Sequence, residues 1–212
     1  MIRQLIMVCA LLQLTGCATL PGGKMLATSG KQALQAAPVQ ATLTEAQSQP
    51  LPLVPTQVQL GKLDPAYLFG TSDKAFFKLY RLPVFKEIYS VTISTRQEGL
   101  MGDSMLLLPN VLMLDEAFKV KRSFNENKLR NRGSGVELTV FINPSNADEH
   151  YMLIRNGNLE SSLKQNMPIV QTNFISTPYG TFMITNGSEI SSEIHSSPVG
   201  MLNIEQHGLT EK

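Results

Sequence analysis

Residues 105–114 read MLLLPNVLML, an apolar run broken only by Asn110 and carrying a proline in its middle. Pro109 rules out one continuous helix, because its ring clashes with the preceding turn and it has no N–H to donate. The same missing donor keeps it out of the interior of a regular sheet ladder. Two buried strand pieces that meet at a bend, or at a sheet edge, satisfy both constraints. The segment therefore calls for a β architecture.

The flanking sequence agrees. IYSVTIST at 88–95 alternates, with Tyr89, Val91 and Ile93 on one face and Ser90, Thr92 and Ser94 on the other, the period of a half-buried strand. VELTVFI at 136–142 is β-branched and aromatic and follows the turn signal Gly133-Ser134-Gly135. FFKLYRLP at 76–83 is a strand closed by Pro83, YMLIR at 151–155 follows a turn cluster, and GTFMIT and VGMLNIE add two short strands near the end. NLESSLKQ at 158–165 is the helical exception, with Leu159 and Leu163 on one face and Asn158 as a cap. Short strands separated by turn signals predict an all-β fold, an antiparallel, jelly-roll-like β-sandwich over 58–206 with a tail at 207–212.

The chain ahead of that domain is of another kind. All 9 Phe and 5 Tyr lie between Tyr67 and Phe182. Residues 18–56 have no aromatic side chain, are rich in Ala, Gln, Thr, Ser and Pro, and end QSQPLPLVPT. Such a composition predicts a disordered linker over 17–57, in which a short helix over 31–36 would be marginal on its own. Further upstream, Arg3 precedes a short apolar run, too short for a membrane span, and Leu14-Thr15-Gly16-Cys17 follows. These four residues resemble a bacterial lipobox. The expectation is a signal peptide at 1–16 and a lipid-modified Cys17 that anchors the chain in a membrane. Ala18 in place of Asp implies the outer membrane by the rule for enteric lipoproteins. With Cys9 removed and Cys17 alkylated, no cysteine remains for a disulfide or a metal. The mature chain would carry 17 basic and 17 acidic residues, because the signal removes only Arg3 from the 18 and 17 of the full chain. That balance gives no electrostatic footprint for nucleic acid.

Candidates for chemistry are few. Gly102-Asp103-Ser104 invites comparison with the nucleophile block of GDSL-type esterases. The sequence after Ser104 is strand-like, however, and His195 has Ser192 where the activating Asp should stand. His150, His195 and His207 show no metal-ligand spacing, and Glu149-His150 reads as a solvated turn. Lys128, Arg130 and Arg132 read as the solvated tip of a hairpin, with Glu126 nearby. Gly133 and Gly135 lack the full pattern of a phosphate loop. Tyr67, Tyr80 and Tyr179 are the aromatic side chains available for a sugar, and the chain has no Trp. No catalytic, cofactor or metal residue is assigned.

LLPNVLMLDEAF at 107–118 resembles the core block of the maltose operon periplasmic protein (MalM) family. EHYMLI, PYGTFMIT and SPVGMLNIE are similar to strands that follow it there. The resemblance implies a non-enzymatic envelope protein associated with carbohydrate uptake, with no active-site residues to carry over. Its implied partners are the membrane through Cys17, a porin or another envelope protein, and a weakly held oligosaccharide. A structural envelope lipoprotein or assembly adaptor without sugar specificity is the competing reading of the same layout.

Overall fold

Pro109 opens a strand instead of interrupting one. The structure, a computed structural model, describes residues 22–100, 102–160 and 162–208. In chain order it contains α1 (Gly23–Ala36), β1 (Val39–Gln40), β2 (Ser48–Pro50), β3 (Thr56–Leu60), β4 (Ala66–Phe69) and β5 (Asp73–Arg81). Then follow β6 (Tyr89–Arg96), β7 (Glu98–Leu100), β8 (Asp103–Leu106), β9 (Pro109–Leu114), β10 (Val120–Phe124) and β11 (Arg130–Arg132). The last five are β12 (Gly135–Ile142), β13 (Tyr151–Asn156), β14 (Ser162–Thr177), β15 (Gly180–Ser196) and β16 (Gly200–His207).

Two sheets form the sandwich. One has the order β1-β4-β5-β13-β9-β10, with β2 added beside β5; the other has the order β11-β12-β6-β16-β3. Phe76, Val111, Met113, Met152 and Ile154 from the first meet Val91, Ile93, Leu138, Val140 and Ile204 from the second in one core. The expected alternation in β6 holds: Tyr89, Val91 and Ile93 are buried, and Ser90, Thr92 and Ser94 less so. Strand β9 is buried at every position. Val111 and Met113 enter the sandwich core, while Leu112 and Leu114 join Phe77, Leu79, Tyr151 and Leu153 on the outer face of the sheet. Asp115 then ends the strand, its carboxylate accepting the N–H groups of Ala117 and Lys119.

That outer face must be covered, and the N-terminal segment helps to cover it. The expected disordered linker over 17–57 is corrected here from residue 22 onward. Gly23, Ala27, Gly30 and Leu34 form the buried stripe of α1, at spacings of three to four residues that fall on one helix face. Gly23 sits so close to the Ser104–Met105 backbone that a Cβ would overlap it, and a Cβ on Gly30 would lie 2.9 Å from Val199. Further along, β1 pairs parallel with β4, β2 pairs parallel with β5, Leu51 enters the core, and Leu43 packs on the outer cluster. Lys74 Nζ donates to the carbonyls of Gln35 and Ala37, placing a cation at the negative end of α1.

Two other expectations are corrected. Residues 158–165 are not a helix: Asn158 Oδ1 accepts the Glu160 N–H to make a turn, and β14 begins at Ser162. Glu149 is not solvated. Its carboxylate is buried and takes a two-pronged contact from Arg122, Nε to Oε1 at 2.6 Å and Nη2 to Oε2 at 2.7 Å.

The hydroxyls of Tyr80 and Tyr89 are buried with no hydrogen-bond partner among the described residues. Burial, then the nearby Glu149 carboxylate, pushes the Tyr89 phenol up to about 12. The unfolded phenol ionises near pH 10. The stability that depends on a neutral Tyr89 is therefore complete below pH ~10 and is lost as pH rises toward about 12. Tyr89→Phe is expected to leave the melting temperature at pH 7 unchanged or slightly raised, and to lessen its fall between pH 10 and 12. Parallel alkaline profiles for the two proteins would show that this hydroxyl is hydrated.

Candidate functional site

One end of the outer face opens into a polar cleft of about 760 Å³, within the ~300–1,000 Å³ typical of small-ligand sites. Its walls come from the C-terminal half of α1, the turn into β5, the short helical turn at Glu126–Lys128, and the link from β13 to β14. Three cations, Lys31, Lys74 and Arg155, face three carboxylates, Asp73, Glu126 and Glu160, so the cleft selects neither sign of charge. Most of these groups already have partners. Lys31 Nζ holds the Leu159 carbonyl at 2.8 Å, Arg155 Nη1 holds Asp73 Oδ2 at 2.6 Å, and Glu126 accepts the Asn158 N–H. The Arg155 guanidinium also lies over the Phe69 ring, 4.6 Å from its centre, a cation–π contact.

What remains is specific. Asn110 of β9 and Arg155 of β13 stand directly opposite each other in an antiparallel pair, a relation that brings Cβ atoms to about 4.5–5.5 Å. Both line the cleft, and Asn110 Oδ1 and Arg155 Nε are buried without a hydrogen-bond partner. One is an acceptor and the other a donor. The amides of Gln35 and Asn125 add further planar hydrogen-bonding groups to the walls.

The residues singled out in the sequence go elsewhere. Asp103 caps α1, its Oδ1 accepting the Lys24 N–H at 2.8 Å, and lies 3.8 Å from His195 Nε2. Ser104 points to the other face of β8, where it is buried and donates to Gln97 at 3.3 Å. Successive strand residues face opposite ways, so β8 separates Ser104 from the Asp103–His195 contact. His150 is exposed, and His207 closes β16 at 3.7 Å from Glu205. Lys128, Arg130 and Arg132 are exposed around the β11–β12 hairpin, as expected. Tyr67 is half-buried edge-on to Phe69 and Phe77, Tyr80 is in the core, and Tyr179 is 96% exposed far from the cleft. Cys17 lies outside the described residues. Among the described residues no group of three or more His, Cys, Asp or Glu could hold a metal, and no helix is long and apolar enough to cross a membrane.

No protein-family model, curated protein or solved structure matches the chain. The cleft and its chemistry therefore stand on their own geometry.

Proposed function

We propose that this chain is a non-enzymatic outer-membrane lipoprotein, anchored through Cys17 and facing the periplasm, that serves carbohydrate uptake and holds an oligosaccharide weakly in the polar cleft. The observation that carries the sugar contact is the cleft itself, of small-ligand size, balanced in charge and lined by the amide residues Gln35, Asn110, Asn125 and Asn158. Amide groups both donate and accept, as sugar hydroxyls do. Weak affinity follows from the walls, which present planar polar groups without an exposed aromatic face for a sugar ring to stack on. The lipobox at Leu14–Cys17 supports the anchor, and the resemblance to the maltose operon periplasmic protein family supports maltodextrins as the sugar.

The test joins binding and uptake. Titration of the purified protein with maltohexaose, followed by backbone NMR shifts, is expected to move cleft residues with Kd near or above ~1 mM. Asn110→Ala is expected to weaken that binding about five-fold, the loss of one hydrogen bond worth ~1 kcal/mol. A deletion strain should take up labelled maltodextrin more slowly at limiting concentration. Wild type should restore uptake, whereas a Cys17→Ser chain, which should carry no palmitate label, should not. Micromolar binding outside the cleft would overturn the site. Normal uptake across several limiting sugars would favour the structural-adaptor reading.

A further inference from the structure

Strands β14 and β15 pair with each other along all of Ser162–Thr177, yet β15 pairs with β8 only at Glu193–Ser196. Beyond that base the hairpin is a two-stranded ribbon. Among the described residues no strand pairs with its outer edges. A 16-residue strand is about 53 Å long at ~3.3 Å per residue, and an isolated two-stranded hairpin is marginal in water. Natural sheets blunt open edges with charges, lysine above all. Here no residue from Gln165 to Ser188 is charged, and beyond Lys164 at the base Pro168 is the one blunting residue in β14. Each face of the far half carries an apolar cross-strand pair among uncharged polar residues. Phe174 stands opposite Met183 on one face, and Ile175 opposite Phe182 on the other, all between 47% and 69% exposed. Single exposed apolar residues are ordinary, but a cluster of this kind marks an interaction site.

We propose that this ribbon is a self-assembly arm, in which the outer edge of β14 pairs antiparallel with the outer edge of β15 from a second copy of this chain. The two open edges decide the occupant. A partner that adds one strand would leave the other edge bare, whereas a second copy with its ribbon pointing the same way supplies the complement to each. The strands run in opposite directions and match in length, 16 and 17 residues, so the pairing is antiparallel and runs along the ribbon from its tip to the base, where β8 occupies the β15 edge from Glu193. Side-by-side ribbons also join their Phe174–Met183 and Ile175–Phe182 pairs into continuous apolar bands. The uncharged stretch brings no repulsion between identical chains. Such a contact is head-to-tail, and closes into a ring when the rotation between copies allows it. A lone ribbon in a lipid bilayer is the inferior alternative, because both edges would bury unpaired N–H and C=O groups in hydrocarbon. The inference rests on the fold alone and is independent of the cleft.

The experiment measures the mass of the purified full chain in mild detergent by light scattering over a range of concentrations. The expected result is an assembly of at least about three copies, the fewest that close a head-to-tail ring. A variant with Thr172→Lys, Ser176→Lys, Thr181→Lys and Thr185→Lys is expected to fall to monomer mass with an unchanged melting temperature. So is a second variant in which 169–188 is replaced by Asn-Gly, which removes the arm and leaves the sandwich. A wild-type chain that is monomeric at every concentration overturns the proposal, as does an assembly that survives both variants. Binding of wild type to phosphatidylethanolamine–phosphatidylglycerol vesicles as an uncrosslinkable monomer overturns it in favour of lipid.

Discussion

A chain that begins at Thr56 is expected to melt about 8–16 °C below one that begins at Gly22. Leu34 and Leu51 are 4% and 5% exposed in the shared core, and Leu43 lies against the outer cluster. Removing a buried leucine costs at least ~2 kcal/mol, so the two together set a loss of about 4 kcal/mol. For a domain of this size each kcal/mol moves the melting temperature by roughly 2–4 °C. Truncation also releases the ordering entropy of the lost segment, which is why the expected loss is far below the sum of its contacts. Thermal melts of the two chains decide the matter. Equal melting temperatures would mean that the segment lies on the domain without stabilising it.

Arg122→Ala is expected to destabilise the fold by about 3 kcal/mol, the lower end of the ~3–5 kcal/mol typical when a buried ion loses its partner. The Glu149 side chain is 1% exposed, whereas that of Arg122 is 30% exposed and gives up less on removal. The guanidinium also donates to the Phe141 carbonyl at 3.0 Å, tying β10 to the end of β12. The penalty comes mostly from the stranded carboxylate. The double variant Arg122→Ala/Glu149→Ala should therefore lose much less than the sum of the two single variants. Additive losses in denaturant unfolding would show that the two side chains act separately.

Elements whose evidence is local were legible in the sequence. The alternation of 88–95 became β6, and the Pro109 constraint became the junction of β8 and β9. Helix α1 was missed for a physical reason. Its buried stripe begins Gly23, Ala27, Gly30, so it packs by close approach of backbones and carries almost no hydrophobic signal. The helix expected at 158–165 had the right spacing of Leu159 and Leu163, but two leucines four apart do not outweigh a turn closed by Asn158. Nor could the cleft be read along the chain. Asn110 and Arg155 become neighbours only through the register of β9 on β13. Glu149 looked like a surface residue for the same reason, since the arginine that buries it comes from β10.

The ordered start of α1 alters how an anchored molecule would be held. With lipid on Cys17, only Ala18 to Pro21 separate the membrane from Gly22, and five peptide steps span at most ~18 Å. Helix α1 begins against β8, which is also where the ribbon of β14 and β15 leaves the sandwich. The domain would then sit like a stud in the leaflet rather than a float on a line. It could diffuse sideways and spin about its short stem, but its height and the root of its arm would be confined to a thin layer. Molecules restricted in this way meet one another on a plane, at similar depth, so edges that must align to join are already level before they touch.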